Sequence, residues 1–265
     1  MKHIRFTVAL VGLIALGSIA GAAQSGSFTV SQNGKQVGTA SYKFVAVQGG
    51  YNSESLVNVS MTGLNYQLSK TERLDSANRL KHVLASGIVN GSAVNITAKP
   101  DAANLLLNIS ANGRATTTRL DAHAGAVFLA DFDPGALQTL LALCVTQRGS
   151  DLWAVVPKRA GSVTQVTVVT DAPEQGTLDG KPVTVQHLTA TINDAKTELF
   201  AGPKNDLLQA ELPQAGFALV RNGFVLTPPK KAGALPADAA QLKQQMQQEQ
   251  QQQQAPQQYP QQPQE

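Results

Sequence analysis

The chain has 265 residues with 21 Lys and Arg, 18 Asp and Glu, and one Cys. Setting aside Lys2 and Arg5 of the leader leaves 19 basic against 18 acidic residues, a balance that gives no surface for nucleic acid. Cys144 stands alone, so an intrachain disulfide is excluded, and charged residues make up only 15% of the chain, which leaves few groups for acid–base work.

The N-terminus carries the signature of a signal peptide. Lys2, His3 and Arg5 precede an apolar run from Phe6 to Ala20, and Ala20-Gly21-Ala22 fits the small-residue cleavage pattern. Residues 1–23 are therefore expected to be removed, with Ala23 or Gln24 as the new terminus. No Cys lies near the cleavage site, so no lipid anchor is expected. The predicted location is the periplasm, or outside the cell, of a bacterium. No membrane-spanning segment is expected in the mature chain.

Residues 24–227 read as strands and turns. Ser27–Ser31 leads into Asn33-Gly34, a two-residue hairpin turn. A long strand runs from Val37 to Val47, and Gly49-Gly50 turns it back. Strands follow at 51–60, 64–74 and 80–89, then Asn90-Gly91 turns the chain. Further strands at 92–98, 104–110 and 114–120 are joined in part by Asn112-Gly113. Spacings of about 8–12 residues mark an antiparallel meander, here placed at 26–121.

One convincing helix interrupts this pattern, at about 133–147. Asp133 can cap it, Pro134 suits its first position, and Arg148-Gly149 suits its end. At 100° per residue, Gln138, Thr139, Ala142 and Thr146 share a narrow arc. Leu137, Leu140, Leu141, Leu143, Cys144 and Val145 fill the rest. A helix apolar on most sides is buried on most sides, so a curved sheet is expected to wrap it. Cys144 then reads as a small buried hydrophobe rather than a reactive thiol.

A second meander occupies 151–227. Leu152–Val156 ends at Pro157, and strands follow at 163–170 and, past the Asp179-Gly180 turn, at 183–192. The last are at 197–201, 207–212, 218–221 and 224–227, with Asn222-Gly223 between the final two. Beyond Pro228 the composition changes to Gln and Pro. Such a tract cannot bury enough apolar area to offset its ordering entropy, so 228–265 is predicted to be a disordered tail.

No catalytic or metal-binding motif emerges. There is no G-x-S-x-G elbow, phosphate loop, zinc pattern or calcium loop. His82, His123 and His187 are far apart in sequence, and His82 and His187, which sit in predicted strands, read as face residues. Asp131 and Asp133 belong to the helix start, and Glu72 and Asp75 beside Arg73 read as a solvated strand end. An apolar hollow between sheet and helix remains as the candidate site. Leu137, Leu141, Leu143 and Trp153 would line it, with Phe132 at its mouth. No cofactor and no metal is expected.

The order of elements resembles periplasmic half-barrel proteins, of which the lipoprotein carriers of the LolA/LolB type are the characterised members. The hairpin Leu178-Asp179-Gly180-Lys181-Pro182-Val183-Thr184-Val185 is similar to exported domains of unknown function with such sheets. So are the later strands Asn205-Asp206-Leu207-Leu208-Gln209-Ala210-Glu211-Leu212 and Phe217-Ala218-Leu219-Val220. The resemblance spans roughly residues 26–227 and rests on element order, so no functional residue is carried over. It implies a half-barrel-like sheet and lipid or lipoprotein as partner.

The sequence therefore predicts a mainly β protein whose curved antiparallel sheet wraps one short buried helix. It is expected to be an exported, non-enzymatic envelope protein that holds an apolar ligand or acyl chain between sheet and helix. The alternative is a structural or assembly protein that contacts envelope proteins through its sheet edges and Gln/Pro tail.

Overall fold

The computed structural model describes residues 24–146, 151–158 and 160–228. The leader, the Arg148-Gly149 helix end and the tail beyond residue 228 lie outside the described residues.

Eight strands form the first meander, each antiparallel to the next. They are β1 (Gln24–Gln32), β2 (Lys35–Val47), β3 (Gly50–Met61), β4 (Leu64–Asp75), β5 (Leu80–Val89), β6 (Ser92–Asp101), β7 (Asn104–Ala111) and β8 (Arg114–Asp121). Three of the predicted Asn-Gly turns form hairpins; at Asn222-Gly223 the chain instead leaves the strand Phe217–Arg221 for Phe224–Thr227, which pairs with Glu174–Leu178. Asn33, Asn90 and Asn112 have φ of 50–53° and the following glycines 71–81°, the left-handed pair that a two-residue hairpin requires. Alternate residues point to one buried face: Ala40, Tyr42 and Phe44 on β2, Val57 and Val59 on β3, Tyr66 and Leu68 on β4.

The centre of the chain is a strand–helix–strand unit. β9 (Gly125–Phe128) is followed by α1 (Pro134–Thr146) and β10 (Leu152–Val156). β9 and β10 pair in parallel, with Ala126 opposite Trp153. Parallel neighbours need a crossover, commonly a helix, and α1 is that crossover. The short apolar run of β9 carries no turn signal or alternation of its own, and sequence reading missed it.

Asp133 caps α1 as predicted: its Oδ1 accepts from the Gly135 and Ala136 amides at 2.9 and 3.2 Å. Every residue from Asp133 to Leu141 is buried. Leu140, Leu141 and Leu143 are 0–2% exposed, and each such side chain contributes roughly 1.5–3 kcal/mol. The polar arc is buried too, since Gln138 and Thr139 are 2% and 0% exposed. Gln138 Oε1 accepts from Tyr42 Oη at 2.9 Å and the Leu207 amide at 2.8 Å, and its Nε2 donates to the Asn205 carbonyl. Those bonds remove the cost of burying an amide.

The second half contains β11 (Ser162–Thr170), β12 (Glu174–Leu178), β13 (Lys181–Ile192), β14 (Ala195–Ala201), β15 (Leu207–Leu212), β16 (Phe217–Arg221) and β17 (Phe224–Thr227). β16 pairs with β1 and joins both meanders into one sheet. The registers give the order β9-β10-β11-β13-β14-β15-β16-β1-β2-β3-β4-β5-β6-β7-β8. β13 is shared: its first residues pair with β12, which pairs with β17, and its later ones pair with β11. The β12–β17 layer covers a small second core of Val185, Phe200, Leu208, Phe224 and Leu226. A shift in register at Phe200/Ala201 lets Leu207 join the main core while Leu208 joins this second one.

The sheet is strongly curved and stays open. Among the described residues no ladder pairs the outer edge of β8, although Thr118 Oγ1 on β8 donates to the Ala160 carbonyl at 2.7 Å. The fold is mainly β and barrel-like, with α1 held inside.

Candidate functional site

Two inward-facing regions flank the start of α1, one polar and sealed, the other apolar and open. The polar one is built by alternation. Lys70 and Glu72 follow Tyr66 and Leu68 on the inward face of β4, and Ser53 and Ser55 oppose them on β3. Lys70 Nζ lies 2.6 Å from Asp133 Oδ2 and 3.2 Å from Glu72 Oε2, with all three side chains fully buried. Glu72 is thus no solvated strand end, and the sequence reading of it is corrected. Burial pulls the Lys70 ammonium pKa down, but the two carboxylates outweigh it and hold the value above its ordinary range. Burial pushes the Glu72 carboxyl up, with Asp133 adding and Lys70 opposing.

Ser53 and Ser55 Oγ and Glu72 Oε1 are buried without a hydrogen-bond partner among the described residues. Gly135 packs on both serines: a Cβ there would collide with Ser55 Oγ. The cluster has the residue types of a reactive site but no opening to a substrate, so it acts as the anchor of the helix start.

The apolar region is a crevice of about 530 Å³ beneath β4–β7. Leu68, Val89, Val94, Ile96 and Ile109 form its walls, with Leu129 and Ala130 across from them. Its lining includes the exposed turn residues Asn90 and Asn112 and the exposed pair in which Lys158 Nζ meets Asp131 Oδ1 at 2.9 Å. The volume falls within the about 300–1,000 Å³ typical of small-molecule sites. Tyr66 lines it, and burial, reinforced by Asp131 and Asp133, holds its phenol pKa well above the ordinary range.

The five residues predicted to line a hollow lie elsewhere. Leu137, Leu141 and Leu143 are buried in the main core, and none borders this crevice. Phe132 stands behind Tyr66, edge-on at 5.8 Å, and 4.8 Å from Phe217. Its φ of 57° is left-handed, a strain of roughly 1–2 kcal/mol for a residue with a β-carbon, which this aromatic packing offsets. Trp153 is half-buried, stacks on His123 at 3.6 Å and donates to Asp151 Oδ1 at 2.7 Å. The walls of this crevice could have been found by continuing the inward phase of β4 through β7.

A larger but shallow concavity of about 810 Å³ lies over outward residues such as Leu56, Asn58, Gln67 and Ile88. The apolar enclosure of the inner crevice makes it the better site. His187 has Glu174, Asp171 and Glu198 oxygens at 3.3, 3.9 and 3.8 Å. Even so, no group of three such side chains among the described residues is placed to hold a metal ion.

Fold and crevice together define a barrel-like, mainly β protein with an interior helix. The sequence matches no known family profile and no curated protein. One solved structure is similar: a β-barrel-like protein of the domain of unknown function DUF1849 from Brucella abortus. It has a TM-score of 0.52 and 11% sequence identity over 76% of this chain and 96% of that one. At that identity the likeness shows the fold alone. No described helix is long and apolar enough to cross a membrane.

Proposed function

We propose that the protein is an exported, non-enzymatic component of the bacterial envelope that binds an apolar ligand or acyl chain. The crevice beneath β4–β7 carries this reading. Its walls are aliphatic, it opens at a polar rim, and its volume suits one small molecule. Burial of the ligand's apolar surface would supply the affinity, at roughly 25 cal/mol per Å². The ligand would leave unchanged. A carrier role like that of the LolA/LolB-type proteins is one form this function would take.

The test is native mass spectrometry on full-length mature protein purified gently from its own envelope. A bound mass that extracts into organic solvent, and that Ile109→Trp removes while the fold is kept, is the expected result. Bare protein in repeated preparations would overturn the reading.

A second reading, assembly through a sheet edge, is supported by β8. Thr116, Thr117, Arg119 and neighbouring residues form a strand with no ladder on its outer side among the described residues, a template for strand addition.

A further inference from the structure

We propose that the crevice takes the apolar tail of an amphiphile with a zwitterionic head, a phospholipid bearing both a phosphate and an ammonium. This deepens the apolar-ligand reading and rests on it. Three observations converge. The volume admits a lipid chain: about 530 Å³ lies within the roughly 300–1,000 Å³ of small-molecule sites.

The walls exclude charge. Among the described residues that line the crevice, the only ionic side chains are Asp131 and Lys158. Both sit at the rim, 2.9 Å apart, with side chains 46% and 65% exposed. A chain inserted between β4–β7 and the segment Leu129–Asp131 therefore leaves its head beside one carboxylate and one ammonium.

That pair selects among heads. A lone carboxylate drawn to Lys158 sits against Asp131, and a lone ammonium drawn to Asp131 sits against Lys158. A neutral hydroxyl leaves the pair intact and gains no ion pair. A zwitterion exchanges partners: its phosphate meets Lys158 and its ammonium meets Asp131, so no charge is left facing its like. Two exposed pairs form and one is lost, so the net preference over a singly charged head is roughly two- to five-fold.

The experiment is displacement of the neutral fluorophore N-phenyl-1-naphthylamine from full-length mature protein. The competitors share a twelve-carbon chain: lauroyl-lysophosphatidylethanolamine, laurate, dodecylammonium and dodecanol. The lysolipid should displace the probe at a concentration roughly two- to five-fold lower than laurate or dodecylammonium. Lys158→Gln should leave dodecanol unchanged, keep the margin over laurate and erase that over dodecylammonium. The double reversal Asp131→Lys with Lys158→Asp should restore it, because both charges are again present. Equal displacement by all four would overturn the head-group inference and leave the apolar site standing, as would laurate as the best competitor. If the probe does not bind and no competitor is taken up, the apolar-ligand reading itself falls.

Discussion

Lys70 Nζ stands 2.6 Å from Asp133 Oδ2, and neither side chain is exposed. One residue belongs to the middle of β4, the other begins α1, so a single ion pair ties sheet to helix. Its partners cannot be removed singly without leaving a buried charge. Lys70→Met is expected to lower stability by about 3–5 kcal/mol, because two carboxylates then lack their counter-ion. Urea unfolding measures this, and a loss under about 1 kcal/mol would show that water reaches the cluster.

Glu72 makes the second prediction. Its folded pKa is raised by burial first, so the folded state holds that proton more tightly than the unfolded chain. The resulting stability is fully present below the unfolded carboxyl range and is lost as pH rises through the folded value. Lys70 is also raised, so its share is present at neutral pH and lost only in strong alkali. Glu72→Gln removes the first dependence. The variant should melt at or above the parent temperature at pH 8, and the gap should narrow toward pH 4. A variant that melts lower than the parent throughout would refute this account.

Gly135 has no room for a side chain above Ser55. Gly135→Ala should therefore destabilise, although alanine favours helices by about 1 kcal/mol. Ser55→Ala removes the obstructing hydroxyl, so the double variant should recover much of the loss. Strict additivity in that cycle would place the two residues out of contact.

Leu140 is 1% exposed at the centre of the interior helix. Leu140→Asp would bury an unpaired charge and should yield no soluble folded protein. A soluble variant with unchanged melting would contradict the interior placement of α1.

Burial pushes the Cys144 thiol up to about 11. Alkylation by iodoacetamide at pH 8 should run far slower than for glutathione and should rise only when the protein unfolds. Rapid labelling of the native protein would contradict this.

Much of the fold was legible because its signals are local. Asn33-Gly34, Asn90-Gly91, Asn112-Gly113 and Asp179-Gly180 dictate hairpins by their own dihedral freedom, and each adopts positive φ at both residues. Asp133-Pro134 likewise announced the helix. What escaped depends on distant partners. β12, Glu174–Leu178, is polar and short, and it becomes a strand because β13 and β17 flank it. Lys70 and Glu72 escaped for the opposite reason. The two-residue phase set by Tyr66, Leu68 and Leu74 points them inward, but charge argues for solvent, and only Asp133, from an element 60 residues later, resolves the conflict in favour of burial. The crevice walls were missed because no single strand forms them.

The joining of β1 to β16 sets an order of events. Thr29 donates to the side chain of Asn222, 193 residues further along, so the first strand waits for nearly the last before it gains its second neighbour. Until then β1 presents an unmatched border. Pairing over such separation is slow, and a nascent chain held before β16 emerges has a sticky seam. A chaperone that masks strand borders would speed maturation of this protein, and a stop codon ahead of residue 217 should yield a product more prone to aggregate.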